Sequence, residues 1–167
     1  SRAKSFLIYW LPVVVWMVLI FSASADTGSA KHSSRIIEPI LRWLFPQMEQ
    51  PTINLIVFLV RKCAHLTEYA ILALLCWRAI RKPVRRDHRP WSTRQAALAL
   101  LLCAAYAASD EIHQCYVPNR EGRFHDVVID SLGAGAGLLA LWAVGKWRRQ
   151  WGSPATATVL SSPEKSN

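Results

Sequence analysis

Acidic residues are scarce in this sequence: 11 Asp and Glu stand against 20 Lys and Arg, a formal net charge of +9. A basic excess of that size raises nucleic acid as a partner, but its placement argues against it. Most of the excess lies in short segments between apolar blocks, where charge directs membrane insertion. The signatures of several chemistries are missing too. There is no Gly-x-Ser-x-Gly, no P-loop and no phosphatase-type signature, so no nucleophile is named. No His-x-x-x-His, His-Glu-x-x-His or four-ligand spacing occurs, and no metal or cofactor is expected. No internal repeat is detectable, which disfavours a transporter. Cysteine is limited to four residues. Cys63 and Cys115 fall where an oxidising exterior would let them pair if adjacent; Cys76 and Cys103 fall deeper. As small apolar residues all four are accounted for.

What is abundant is apolar residues, 52% of a 167-residue chain. A chain of this length reads as one domain, residues 1–149, followed by a Ser/Pro/Ala/Thr-rich tail, 150–167, expected to be disordered. The apolar residues fall in blocks of about 20, the length that crosses a ~30 Å hydrocarbon layer. The first block runs from Phe6 to Ala23, with Pro12 near its start. The second runs from Ile53 to Ile80, the third from Gln95 to Cys115 and the fourth from Val127 to Gly145. The expected fold is all-α, a four-helix transmembrane bundle. A rival reading of the first block is a secretory signal ending at Ala23-Ser24-Ala25, but the run is long for that purpose.

Counting Lys and Arg orients the bundle. Thirteen lie toward the side that holds both chain ends and the segment between the second and third blocks; seven lie toward the opposite side, with nine of the acids. Positive loops stay inside, so both ends are expected in the cytoplasm. The basic run 81–94 is then a topology determinant, with anionic lipid needing no special site there. In the outer loop 26–52, Ile36, Ile37, Ile40, Leu41 and Leu44 recur at helical spacing. They predict a short amphipathic helix, lying in the outer interface or packed as a lid.

Ionisable residues within the blocks share a depth. At ~1.5 Å per residue from their cytoplasmic ends, His65 and Glu68, Asp110 and His113, and Asp126 and Asp130 all lie ~16–28 Å up. Such groups cost roughly 2.5–3.5 kcal/mol each at mid-membrane, so they should face one another or a wet cavity open outward. The i,i+3 and i,i+4 spacings put each pair on one helical face. Glu111 belongs to the same cluster, and Phe21, Ser22 and Ser24 end the first block at the same level. Arg61, Lys62, Arg120 and Arg123 sit just above, able to hold an anion. Candidates for proton transfer are therefore His65, Glu68, Asp110, Glu111, His113, Asp126 and Asp130. The bland alternative is polar glue between helices. Gly133 and Gly137 predict close helix packing within the bundle.

Three elements resemble the VanZ-like family of bacterial membrane proteins, named for a teicoplanin-resistance factor. Lys62-Cys63-Ala64-His65-Leu66-Thr67-Glu68-Tyr69 is similar to its first, and Ser109-Asp110-Glu111-Ile112-His113-Gln114 to its second. Pro118-Asn119-Arg120, then Asp126, Asp130, Gly133 and Gly137, is similar to the third, with Asn119 where Gly is usual. Asn also tolerates a left-handed turn. The resemblance spans roughly residues 10–145. It implies four helices in the bacterial cytoplasmic membrane and a link to the envelope or to glycopeptide resistance; it specifies no reaction. It adds Tyr69, Ser109 and Gln114 to Arg61, Lys62, Arg120 and Arg123 as ligand-binding candidates. The expected ligand is an anionic lipid or glycolipid head group in the outer leaflet. The alternatives are a non-enzymatic protein acting through a partner, and a hydrolase or transferase acting on an envelope lipid. Membrane lipids are the expected partners, and oligomeric state is left open.

Overall fold

The computed structural model describes residues 2–25, 29–83, 87, 89–116 and 124–151. It is all-α, with five helices among the described residues: α1 (Arg2–Ala25), α2 (Ser29–Leu44), α3 (Gln50–Arg81), α4 (Thr93–Gln114) and α5 (Phe124–Trp147). Three of them, α1, α4 and α5, are long and apolar enough to cross a membrane. Helix α3 is longer, at 32 residues, but Arg61, Lys62, Glu68, Arg78 and Arg81 dilute its apolar character. Each of these four helices runs a few residues past its apolar block at one end or both, because polar flanks extend a helix as readily as apolar ones.

Helix α3 is the hub and packs against all four others. Helix α5 lies parallel to it, and glycine sets how closely. A Cβ added at Gly133 would stand 2.8 Å from Leu66 Cα, and one at Gly137 would stand 2.9 Å from Ala70 Cα. The two backbones touch, as small residues permit in membrane bundles. Helix α1 runs antiparallel to α3, held where Trp16 Nε1 donates to the Glu68 carbonyl (2.9 Å) and Tyr9 Oη to the Pro83 carbonyl (3.1 Å). Tyr106 Oη donates to the Met17 carbonyl at 2.6 Å and ties α4 to α1. The core between these ties is small and apolar: Tyr69, Leu72, Ala73, Cys76, Ala99, Cys103, Ala107, Ala134 and Leu138 are buried. The four cysteines are free thiols.

Helix α3 ends at Lys82, whose backbone is left-handed (φ 47°, ψ 64°) and whose N–H returns to the Arg78 carbonyl. Pro83 follows and cannot continue a helix. Ser92 caps the start of α4 by accepting from the Gln95 N–H at 3.3 Å. Between these points the basic run forms a bonded node. Arg81 is 3% exposed. Its Nε donates to Asp87 Oδ2 at 3.0 Å, and its Nη atoms donate to the carbonyls of Pro90 (3.1 Å) and Arg89 (2.7 Å). Arg89 returns a bond to the Arg81 carbonyl (2.9 Å) and grips Asp87 at 2.7 and 2.8 Å. These guanidiniums, Arg89 foremost and Arg81 second, hold the Asp87 carboxyl well below the usual carboxylate range. Trp77 and Trp151 each face the Arg81 guanidinium, whose central carbon lies 5.2 Å from either ring centroid, and Trp91 packs on both of those rings, the three ring centroids standing 5.3–5.9 Å apart. Gln150 and Trp151, which composition grouped with the tail, are thus part of the folded unit. Residues 152–167 lie outside the described residues.

Helix α2 starts at Ser29, earlier than the apolar spacing placed it, and packs mainly against α3. Arg42 fastens it, bonding Glu38 at 3.1 Å and also Gln50 of α3. Ile36, Ile40, Trp43, Leu44 and Phe45 remain exposed. Ile37 and Leu41 of the same apolar set are half-buried.

Candidate functional site

The layer opposite the Arg81 node is built from α3, α4 and α5, with α1 closing one side. Asp110 and Glu111 on α4 and Asp130 on α5 are buried, at 5%, 8% and 5% exposure. Their burial follows from position: each lies on the face its helix turns toward the others, one to two turns from the ends where α4 stops and α5 starts. Asp110, Glu111, Asp126 and Lys62 all act electrostatically on Asp130, so the three helices do bring their ionisable residues together.

On α3, His65 Nδ1 stands 3.5 Å from Glu68 Oε2, as the i,i+3 spacing predicted. Lys62, one turn above Leu66, forms an ion pair with Asp126 of α5, both groups about a quarter to a third exposed. Arg61 is half-buried and, with Asp126 and Asp110, within electrostatic reach of His65. On α4, Gln114 Nε2 donates to Asp110 Oδ2 at 3.2 Å and to Glu111 Oε1 at 3.4 Å. The element that resembled a family motif is thus also a local hydrogen-bonded unit.

Tyr69 forms the floor. It is 1% exposed, its ring lies 6.3 Å from that of Tyr106, and its hydroxyl has no hydrogen-bond partner among the described residues. Asp130, Asp110 and Glu111 are its charged neighbours. His113 packs on Phe21 of α1, with ring centroids 4.7 Å apart. Ser109 is exposed and gives its hydroxyl to the Tyr106 carbonyl at 2.7 Å, so it faces its own helix. Ser22 likewise bonds the Val18 carbonyl at 2.8 Å. Arg120 and Arg123, with Pro118 and Asn119, lie outside the described residues, and so does the side chain of Ser24.

Two residues of the site escaped the sequence reading. Trp16 orients Glu68 through its backbone carbonyl, and Tyr106 completes the floor. Tyr106 precedes Asp110 by four residues and so shares its face, which was a usable signal. Nothing in the sequence pointed to Trp16.

Chemically the layer combines carboxylates, one His beside a carboxylate, and Arg61 and Lys62 at its outer rim. Such a set can hold hydroxyl or ammonium donors below and an anion above. Among the described residues no group of three or more His, Cys, Asp or Glu side chains is arranged to hold a metal ion. The sequence model of the family described as VanZ/LLP1 matches residues 6–145. No curated protein and no solved structure gives a significant match.

Proposed function

Because the chain belongs to the VanZ/LLP1 family, we propose that its polar layer binds the phosphate-bearing head group of a lipid or glycolipid, entered from the outer face of the bacterial cytoplasmic membrane. In this reading α3, with its 32 residues, is the fourth span. At ~1.5 Å per residue it measures about 48 Å, enough to cross a ~30 Å core at a tilt and project beyond it. Both chain ends then lie on the basic, cytoplasmic side, as the 13-to-7 division of Lys and Arg favours.

The observation that carries the proposal is the convergence of buried Asp110, Glu111 and Asp130 from two helices beneath a rim that carries Arg61 and Lys62. Arg61 and Lys62, and by their sequence position Arg120 and Arg123, supply the positive charge a phosphate needs. The carboxylates and His65 supply acceptors for sugar hydroxyls or an amine. Tyr69 offers a buried donor to the same group. Glue between helices explains this poorly: interhelical polar contacts average only ~0.6 kcal/mol in membranes, while buried carboxylates are costly. Through this site the protein would alter how the envelope meets glycopeptides such as teicoplanin. A hydrolase or transferase step on the same head group is a sub-case for which no nucleophile is identified. A non-enzymatic role through a protein partner is the remaining alternative.

The test is lipid co-purification with Asp110→Asn and His65→Gln variants, read by native mass spectrometry beside a detergent melt. Both variants should lose the outer-leaflet lipid and any resistance phenotype while melting within a few degrees of the parent. Loss of function that tracks loss of folded protein would establish glue instead. Undiminished lipid and phenotype in both would refute the site.

A further inference from the structure

Outward of the polar layer the bundle turns apolar again. Residues 53–60 of α3 lie between its first turn and Arg61, and Asn54 is the one polar side chain among them. The Asn54 side-chain oxygen accepts from Gln50 at 3.1 Å. Leu55, Phe58 and Leu59 of this stretch are exposed. Helix α2 flanks it, with Arg42 bonded to Gln50 and with Ile37 and Leu41 half-buried. A second stripe of α2, Ile36, Ile40, Trp43 and Leu44, is exposed at i, i+4, i+7, i+8 spacing, and Arg35 lies off that stripe. Two neighbouring elements thus leave apolar faces open at the same end of the bundle.

Four observations say what covers them. Helix α2 is pinned between the ends of two spans, with three residues separating it from Ala25 and five from Gln50. A reach of ~3.3–3.6 Å per residue keeps its start within about 14 Å of Ala25. Trp43 is 80% exposed beside Arg42, and so level with Gln50. Trp147 is 82% exposed, ten residues past the Gly137 that touches Ala70, and so level with Ile80. About 30 residues of α3 separate those levels, or ~45 Å, which matches the ~40–45 Å of a bilayer with the interfaces where exposed Trp collects. Ser22, Thr67 and Ser109 are exposed near the layer, yet each gives its hydroxyl to its own helix, to the carbonyls of Val18, Cys63 and Tyr106 at 2.7–2.8 Å. Hydrocarbon requires that of an exposed hydroxyl and water does not. Lys62 Nζ reaches outward over the Phe58 ring, 5.6 Å from its centroid, as the head of an immersed cation does. We infer that lipid of the outer leaflet covers α2 and residues 53–60, so that the rim of Arg61 and Lys62 lies inside that leaflet, ~16 Å below the level of Trp43, and meets lipid rather than water. Any ligand of the polar layer is then carried by the leaflet itself, a consequence that rests on the function proposed above; the position of the leaflet does not.

Spin labels on the full chain in nanodiscs of phosphatidylcholine and phosphatidylglycerol test this. Cys76 and Cys103 are buried, so Cys115→Ser leaves Cys63 as the reactive native thiol, four residues past Leu59 on the same exposed face of α3. With Cys63→Ser and Cys115→Ser together, single labels go to Ile36→Cys, Ile40→Cys, Leu59→Cys and Arg35→Cys. Relaxation by oxygen, which partitions into lipid, is compared with relaxation by a water-soluble nickel chelate. Oxygen should dominate several-fold at Cys63, Leu59→Cys, Ile40→Cys and Ile36→Cys, with the greatest depth at Cys63, and nickel should dominate at Arg35→Cys. Adding Asp110→Asn should leave the pattern unchanged, so that failure of the ligand site is read separately. Nickel relaxing Cys63 or Ile40→Cys as strongly as Arg35→Cys would overturn the inference, since water would then cover these faces. Exclusion of both relaxers from Ile36→Cys and Ile40→Cys would overturn it too, because a protein surface would then cover α2. If the α2 variants do not fold, the native Cys63 label decides alone.

Discussion

Replacing Gly133 with Ala tests how the bundle is assembled. The added methyl would meet the α3 backbone, 2.5 Å from the Leu66 carbonyl oxygen and 2.8 Å from its Cα. Carbon atoms in contact normally stand ~3.5–4.0 Å apart, so α5 must withdraw from α3 by about 1 Å. Backbone cannot swing aside as a side chain can, and overpacking of this kind costs typically ~1–3 kcal/mol. Gly→Ala also raises helix propensity by up to ~1 kcal/mol, which would mask part of the loss. Gly135 removes that ambiguity. It lies in the same helix, two residues on, and a Cβ there meets nothing within 4 Å. Gly135→Ala therefore carries the propensity gain alone. The difference between the two variants isolates the clash and should be ~1–3 kcal/mol, Gly133→Ala the less stable. Reversible unfolding in mixed micelles, followed by Trp fluorescence, measures it. A difference below ~0.5 kcal/mol would refute the close α3–α5 contact, and with it the geometry that puts Asp130 beside the α4 carboxylates.

Two further outcomes follow from the charged nodes. Asp87→Asn strips the buried Arg81 of its counter-charge and should destabilise by up to ~3–5 kcal/mol, with earlier tryptic cleavage in the 82–92 loop as a second readout. The same carboxyl sets an acid dependence. Its folded value is depressed, chiefly by the hydrogen bonds from Arg89 and then by those from Arg81. Its contribution is therefore complete above the unfolded value near ~3.9 and is lost as pH falls through and below it. The parent melt should fall between about pH 4 and pH 2 more steeply than that of Asp87→Asn; parallel curves would contradict the node. Lys62 and Asp126 are both partly exposed. A double-mutant cycle on them should give a coupling of only ~0.2–1 kcal/mol. A coupling above ~3 kcal/mol would mark the rim as closed rather than open to head groups.

Helices and the polar layer were legible because both depend on period and depth. Blocks of about 20 apolar residues locate spans, and a common rise per residue puts His65, Glu68, Asp110 and Asp130 at one level. The partners within that layer were less legible. Asp110 and His113 share a face by spacing, yet His113 packs on Phe21 while Asp110 is bonded by Gln114. Which of two equivalent neighbours a side chain takes is decided by where α1 lies, and the local sequence carries no record of that. The Arg81 node was not legible at all. A run rich in Arg reads as a solvated topology signal, and only folding reveals that Pro83, Asp87 and Pro90 turn the chain back so that its carbonyls converge on one guanidinium. Trp151 was hidden for the same reason: it belongs by composition to a polar tail but by packing to Trp77 and Trp91.

The two ends of the bundle treat buried charge in opposite ways, and the contrast bears on function. At the basic end a carboxylate, Asp87, is matched by two guanidiniums, and backbone carbonyls take the remaining donors; the node is closed and its role is to hold the loop. At the other end, five carboxylates, Glu68, Asp110, Glu111, Asp126 and Asp130, share a layer with Arg61 and Lys62 as the described permanent cations. Lys62 is already engaged with Asp126 at the rim. In the proposed reading Arg61 and Lys62, the described cations, mark the mouth, and the buried carboxylates Asp110, Glu111 and Asp130 mark the floor. A bare phosphate fits only the mouth. A ligand that spans both levels needs an anionic group above and hydroxyl or ammonium donors below, which is the make-up of a phosphoglycolipid or an amine-bearing phospholipid head group. A lipid with phosphate alone should therefore bind the outer site more weakly than one that also bears such donors, and the reverse order would count against a head-group site of this polarity.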